Sequence, residues 1–221
     1  MSSRGRPPLA VWLYDTLIAT LHDLGSRYRF VWEPAPAARW GIAGRVVGNL
    51  LEIGPAGAEA PNARVRVFLQ GLLPEANQRT HHAHAAGVDP DDVFGLLVAF
   101  GRDTAGALVF QGVDEPPPLD AGTREPIGDD DIGELLRQAG GYRVDGYTPT
   151  SLAGVQPKVA LYRDDTGWYR CQGAPTTHIL KLGQPPGGPL SDVIDTEAAC
   201  LDLARALTLT CLLYTSDAAD E

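Results

Sequence analysis

SLAGVQPKVALY, residues 151–162, and THILKL, residues 177–182, are the two stretches that decide how this chain is organised. The first sets small residues before a run of alternating apolar residues, a pattern that predicts a loop followed by a strand. The second predicts another short strand, which carries Lys181. The loop is built from small residues: Ser151, Ala153 and Gly154. Backbone N–H groups in such a loop can approach an anion closely and a strand lysine can neutralise it, so the two stretches predict a site for the phosphates of a nucleotide.

The residues between these stretches predict a hairpin. The pattern predicts two strands, at residues 158–163 and 168–171, on either side of a turn at residues 164–167. In the strand that follows, alternation puts Ile179 and Lys181 on one face, where an apolar side chain and a charge can together hold a nucleotide. A surface lysine on a sheet is also common, so this spacing taken alone leaves the plainer interpretation open.

A helix is predicted to open at residues 195–197, and Glu197 lies near its start. Two interpretations of this glutamate fit the local pattern. It pairs with Lys181, as the helix glutamate of a kinase pairs with the nucleotide lysine. Alternatively, it is an acid placed for the positive end of the helix dipole.

The first half of the chain predicts a strand-rich unit. Short runs of apolar and aromatic residues predict six strands, the first three as an antiparallel meander, at residues 9–14, 17–21, 28–32, 44–51, 63–69 and 107–110. A helix is predicted over residues 74–86, and a second is predicted to begin at Asp89 and Pro90. The second helix carries an apolar stripe at helical spacing: Val93, Leu96, Leu97 and Phe100.

Two clusters of metal-binding residue types have plainer interpretations. His81, His82 and His84 lack the spacing of four residues that puts two ligands on one helix face, so a solvated helix end is favoured over zinc. Three aspartates at residues 129–131 precede a short helix, and an acidic helix start is favoured over a metal site.

Composition restricts the class of partner. The formal net charge of the 221 residues is -10, which argues against broad binding to a phosphate backbone, so no direct nucleic-acid contact is expected. No apolar run approaches the roughly 18 residues of a membrane helix, so no membrane association is expected. The 3 cysteines are too scattered for a disulfide framework, and no export signal is recognised, so a cytoplasmic location is expected.

DEPPPLDAGTREP, residues 114–126, is the predicted domain boundary, because prolines are dense there. On either side of it lie five motifs: FLQGLLPE (68–75), GRDTAGAL (101–108), SLAGVQPKVAL (151–161), THILKL (177–182) and TEAACLDLARAL (196–207). In these motifs and their order the chain resembles the HipA-type toxins, the serine/threonine kinases of bacterial toxin–antitoxin pairs. Five ordered motifs are far more specific than a lone glycine loop, although the first sixty residues match only in outline.

The resemblance implies an α+β fold, with a strand-rich N-terminal subdomain at residues 1–125 followed by part of a protein-kinase-like N-lobe at residues 126–210. It implies transfer of the γ-phosphate of ATP, with Mg²⁺, to a protein substrate such as an aminoacyl-tRNA synthetase. The implied partner is a small HipB-like DNA-binding antitoxin. Such a partner fits an acidic chain that is not expected to bind DNA itself.

The resemblance also implies roles for individual residues. The positions that match the family's nucleotide site are Ser151, Ala153, Gly154, Val155, Gln156, Lys181 and Glu197. Lys181 matches the lysine that contacts ATP phosphates, and Ser151 matches a regulatory serine that is autophosphorylated. A phosphate on Ser151 would add nearly two negative charges beside a site built for a polyphosphate, and we expect it to displace the loop.

The end of the sequence departs from the family pattern. Residues 211–221, CLLYTSDAADE, resemble the translation of a transposase sequencing adapter, so we expect them to be a sequencing-adapter scar. The family's catalytic aspartate, its asparagine and its metal-binding aspartate have no recognisable match, so no catalytic residue is predicted and the chain is expected to be inactive alone. The alternative is a non-catalytic N-terminal binding or regulatory module of a toxin–antitoxin kinase system.

Overall fold

A computed structural model of the chain describes residues 5–74, 76–104, 107–118, 122–140, 158–183, 187 and 191–209. The chain divides into two compact units, residues 1–180 and residues 181–221. Among the described helices, none combines the length and the apolar character that spanning a membrane requires.

The first unit begins with an antiparallel sheet. Its strands are β1 (Leu9–Leu13), β2 (Thr16–Asp23), β3 (Tyr28–Trp32) and β4 (Leu108–Gly112). They lie in the order β3–β2–β1–β4, so the last strand along the chain pairs with the first. Tyr14 adopts φ +55° in the tight turn that lets Leu13 pair with Thr16. The predicted meander of the first three strands is confirmed.

Four helices complete this part of the first unit: α1 (Pro34–Trp40), α2 (Asn62–Gly71), α3 (Ala76–Ala86) and α4 (Val93–Phe100). They enclose one apolar core with the sheet, and the largest side chains buried there include Trp32, Phe30, Phe94 and Phe110. Burial of such side chains is the main source of stability of the subdomain. The predicted stripe of α4 is buried along its whole length.

The strand predicted at residues 44–51 is wrong. This segment forms turns, and it is closed at its base by two backbone hydrogen bonds, from Ala43 N to Ile53 O at 2.8 Å and from Ile53 N to Gly44 O at 3.0 Å. Gly48 adopts φ +123°, a conformation that an extended strand does not contain. The glycines of this segment therefore favour a closed loop over a sheet strand.

The strand predicted at residues 63–69 is also wrong, because this segment lies within α2. Local alternation would put Val65, Val67 and Leu69 on one face. In the structure Val67 is 54% exposed, whereas Val65 and Leu69 are fully buried. Phe68 and Leu72 extend the buried stripe at helical spacing, so the longer helical period prevails over the short alternating run.

The helix predicted to begin at Asp89 begins three residues later. Asp92 is the N-cap of α4, and its carboxylate accepts a hydrogen bond from Gly95 N at 3.0 Å. Asp89 instead closes a turn, since its carbonyl accepts from Asp92 N at 2.9 Å. The helix therefore starts after Asp92, the aspartate whose side chain accepts a hydrogen bond from a backbone N–H of the first helical turn.

A second sheet follows in the same unit, except that Lys181, the last residue of its fourth strand, is the first residue of the second unit. Its strands are β5 (Thr123–Ile127), β6 (Lys158–Asp164), β7 (Gly167–Gln172) and β8 (His178–Lys181), in the order β5–β7–β6–β8. The hairpin of β6 and β7 is confirmed. Helix α5 (Asp129–Gly140) packs on this sheet through a small core: Ile132, Leu135, Val159 and Leu161. With helices and two antiparallel sheets, the fold class is α+β as predicted.

β5 occupies part of the proline-rich segment predicted to be the domain boundary. It lies at the edge of the second sheet, where the missing N–H of Pro126 is tolerated. The predicted division into residues 1–125, 126–210 and 211–221 stays a prediction.

The second unit contains helix α6 (Val193–Ala206), and no described residue of this helix is buried. Asp192 is its N-cap residue, and Asp192 O accepts from Thr196 N at 2.9 Å. The predicted helix that carries Glu197 is therefore present.

Candidate functional site

Lys181 and Glu197 form the centre of the candidate site. Lys181 Nζ lies 2.5 Å from Glu197 Oε1 and 2.5 Å from Oε2, so both carboxylate oxygens accept from one ammonium group. The two side chains are 28% and 42% exposed, which leaves the pair accessible from solvent. A lysine held in this way keeps its charge in one place, as a phosphate-binding lysine must.

Local structure brings the two residues together. Lys181 is the last residue of β8, and Glu197 lies just over one turn into α6. A Cβ built on Gly183 would lie 3.9 Å from Ile194 Cδ1, so the chain leaving β8 passes against the first turn of α6. Of the two sequence interpretations of Glu197, the structure shows the one in which it pairs with Lys181.

The strand that ends at Lys181 has two different faces. Leu180 packs against the core of the second sheet, whereas Ile179 is 51% exposed. The predicted alternation is therefore present, with Ile179 on the face opposite Leu180.

The predicted nucleotide loop lies outside the described residues. This applies to Ser151, Ala153, Gly154, Val155 and Gln156. Their roles, and the role of the Lys181–Glu197 pair toward a nucleotide, stay predictions.

In the GRDTAGAL motif, residues 101–104 follow the end of α4, and residues 107–108 lead into β4. Gly101 N donates to Leu97 O at 2.8 Å, and Phe110 N donates to Gly101 O at 2.7 Å. The hydroxyl of Thr104 is buried and donates to Leu108 O at 2.7 Å. A Cβ on Gly101 would lie only 2.7 Å from Phe110 Cβ, so the close approach requires glycine.

Asp103, from the same motif, reaches the second sheet. The hydroxyl of Thr176 lies 3.0 Å from Asp103 Oδ1 and 2.9 Å from Oδ2, and the backbone N–H of Thr176 also donates to this carboxylate. Beside this contact, the side chain of Arg102 lies against Gly173, where a Cβ would be 3.1 Å from Arg102 Cδ. The turn after α4 and the turn between β7 and β8 are thus in direct contact.

Burial raises the pKa of the Asp103 carboxyl above its ordinary value, and the two hydrogen bonds from Thr176 oppose that rise. No local pattern indicates this contact, because Asp103 and Thr176 are 73 residues apart. An aspartate within a glycine-containing turn usually indicates a turn residue rather than a long-range contact.

The histidines of α3 have different environments. The ring of His82 packs on Phe100 with centroids 5.3 Å apart, and burial lowers the pKa of His82 to about 4. Its Nδ1 is buried and has no hydrogen-bond partner within the described part of the chain. His81 and His84 are exposed. Across the described ranges, no group of three or more His, Cys, Asp or Glu residues could hold a metal ion.

Residues 9–111 match the family model described as "HipA N-terminal domain". Over 157 residues the chain is 38% identical to "Putative kinase Y4mE" of Sinorhizobium fredii, an alignment that covers 65% of this chain and 36% of the relative. Over 123 residues it is 30% identical to the "Serine/threonine-protein kinase toxin HipA" of Shewanella oneidensis. This alignment covers 54% of this chain and 28% of the relative. The chain thus spans about a third of the length of the curated relatives it matches.

A solved structure has a similar fold. It is a complex of HipA, HipB and its operator DNA from the toxin–antitoxin system of Shewanella oneidensis. The superposition has a TM-score of 0.64 at 22% identity and covers 90% of this chain and 45% of that chain. At this identity the similarity concerns the fold.

Proposed function

We propose that this chain is the N-terminal, nucleotide-binding part of a HipA-type serine/threonine-protein kinase toxin, because residues 9–111 match the HipA N-terminal domain and the chain is similar to a kinase toxin of that name. The proposed activity of the whole protein is transfer of the γ-phosphate of ATP to a protein. A seryl or threonyl hydroxyl is the proposed acceptor.

One observation carries the proposal, the ion pair of Lys181 and Glu197. In protein kinases a strand lysine contacts the nucleotide phosphates while a helix glutamate holds it. Here the lysine ends a strand and the glutamate lies in the first turns of a helix, and both carboxylate oxygens face the ammonium group. The pair is accessible to solvent, as a site that binds and releases ATP requires.

We propose that residues 151–156 bind the phosphates of the same nucleotide as Lys181. The small residues of this loop suit backbone hydrogen bonds to an anion. Phosphorylation of Ser151 would place a second anion there and thus oppose ATP. The Mg²⁺ that such a transfer uses is not assigned to any described residue, because the described residues contain no group of three or more His, Cys, Asp or Glu that could hold a metal ion.

The proposed partner is a HipB-like DNA-binding antitoxin, and the proposed substrate is a protein such as an aminoacyl-tRNA synthetase. The net charge of -10 supports a division of labour in which the partner binds the DNA. The structural relative, which is in complex with HipB and operator DNA, supports the same pairing.

A second candidate function is a non-catalytic binding module that regulates a kinase or binds an antitoxin. It is favoured by the extent of the family match, which ends at residue 111 and thus includes neither the 151–156 loop nor Lys181. The two functions differ in whether this chain binds ATP.

Titration of the 221-residue chain with ATP in a calorimeter tests the proposal. We expect Lys181→Met to weaken ATP binding by about tenfold or more, because a charge-assisted hydrogen bond to a phosphate is lost. Arg205→Met is the matched control, since Arg205 is a cation of α6 that pairs with Asp202, and we expect it to leave the affinity within about twofold.

An unchanged affinity in Lys181→Met would exclude Lys181 from the site. Failure of the unsubstituted chain to bind ATP would favour the binding module.

A further inference from the structure

We propose that Asp103 is a positioning residue for the nucleotide site: by holding Thr176 it fixes the start of β8, the strand that ends at Lys181. This inference rests on the proposed function. It adds to the site a residue of the N-terminal domain, within the residues that the family model matches.

Thr176 contacts Asp103 through both its side chain and its backbone. Asp103 receives the hydroxyl of Thr176 on both oxygens, at 3.0 and 2.9 Å, together with the backbone N–H of the same residue. Hydrogen bonds to a carboxylate are stronger than those between neutral groups, and burial strengthens them further. Thr176 is therefore held by its backbone as well as by its side chain.

Thr176 lies where β8 joins the sheet. The next residue, Thr177, donates its N–H to Leu161 O at 3.0 Å, and its hydroxyl accepts from Arg163 N at 3.1 Å. These bonds set the register of β8 on β6. A slip of one residue would turn every side chain of β8, including that of Lys181, to the opposite face of the sheet.

Other polar side chains also hold the segment around Asp103. The Thr104 hydroxyl donates to Leu108 O, and Asp92 caps the preceding helix. A partly buried carboxylate is costly unless hydrogen bonds compensate for lost hydration, and the contact with Thr176 supplies such hydrogen bonds.

The test compares three variants of the full chain with one control. Thr176→Val removes the hydroxyl at nearly constant volume, Thr176→Ser retains it, and Asp103→Asn keeps the shape of the acceptor without its charge. Thr166→Val is the control, because it removes a threonine hydroxyl that donates to Asp164 at 2.6 Å in the turn between β6 and β7.

Two readouts are measured well below the melting temperature of each variant, the dissociation constant of ATP and the hydrogen exchange of the β8 amides. We expect Thr176→Val and Asp103→Asn to weaken ATP binding by roughly threefold to tenfold, the factor for one hydrogen bond, and to speed exchange in β8. Thr176→Ser should restore both readouts, and Thr166→Val should change neither.

Sensitivity to Lys181→Met without sensitivity to Thr176→Val would overturn the role of Asp103 and leave the proposed function intact. An equal effect of Thr166→Val would show general loosening of the sheet and would also overturn it. No ATP binding by the unsubstituted chain would overturn both proposals.

Discussion

Asp92 caps helix α4 and binds Arg6 with the same carboxylate. Arg6 Nη1 lies 2.6 Å from Asp92 Oδ2 and Arg6 Nη2 lies 2.9 Å from Oδ1, while Gly95 N donates to Oδ1 at 3.0 Å. Arg6 also contacts Asp23 at the end of β2, at 2.6 Å. One aspartate thus links the start of a buried helix to the segment before β1.

We expect Asp92→Ala to lower the free energy of unfolding by about 1–2 kcal/mol, because the helix loses its cap and Arg6 loses a partner. Chemical denaturation monitored by circular dichroism measures the loss. Asp91→Ala removes a carboxylate of the same turn without removing the cap, and its loss should stay within about 0.5 kcal/mol. Equal losses in the two variants would show that the cap assignment is wrong.

Gly101 is predicted to tolerate no side chain. A Cβ there would press on Leu97 O and lie 2.7 Å from Phe110 Cβ, so Gly101→Ala should cost about 2–3 kcal/mol through a forced shift of α4 or β4. Gly71→Ala, at the end of α2, meets open space and should be neutral or stabilising by up to about 1 kcal/mol. The measurement is the midpoint of thermal unfolding, and a tolerant Gly101 would contradict the close packing of this turn.

Glu197→Gln should weaken ATP binding by about threefold, since Lys181 would lose its ionic partner while keeping its own charge. Stability should change by less than about 0.5 kcal/mol because the pair is partly exposed. Asp202→Asn removes a carboxylate that pairs with Arg205 on the same helix and should leave ATP affinity unchanged. If both variants bind ATP as the unsubstituted chain does, Glu197 does not orient the lysine.

His82 should make the stability depend on pH on the acid side. Its folded pKa of about 4 lies below its ordinary value of 6.5, so the unfolded chain binds the extra proton first as the pH falls between these values. Stability is therefore lost below about pH 6.5, by about 2 kcal/mol at pH 4 after allowance for the partial exposure of the ring.

Replacing His82 with Gln should remove this part of the pH dependence, whatever it does to stability at pH 7. The matched control is His84→Gln, which changes an exposed histidine on the same helix. Urea unfolding at several pH values gives the slope for each variant. A slope that persists in His82→Gln would assign the acid sensitivity to other groups.

The elements that were predicted correctly are those whose signal is local. The meander of β1 to β3 follows from alternation between turn residues, and the stripe of α4 follows from helical spacing. Residues 63–69 show the limit of this reasoning, because RVRVF alternates over a window too short to exclude a helix. The burial of Phe68 and the exposure of Val67 in the structure distinguish the helical period from the alternation of a strand.

In the candidate site, too, the features with a local sequence signal were predictable and the long-range contacts were not determined by such a signal. Lys181 on a strand and Glu197 near a helix start were predicted, and their pairing was one of two interpretations left open, because an acid at a helix start has the same local pattern when it serves the dipole. The contact of Asp103 with Thr176 depends on two turns meeting in space, and no local spacing encodes such a meeting.

The position of Arg6 affects how the N-terminal domain should be cut out for expression. The family match begins at residue 9, so a fragment designed from that match alone would start three residues after this arginine. Asp92 and Asp23 would then each lose a cation while remaining in the fragment. A fragment that starts at or before residue 5 keeps the arginine. Comparing the melting temperatures of the two fragments would measure how much the ion pairs of Arg6 with Asp23 and Asp92 contribute to stability.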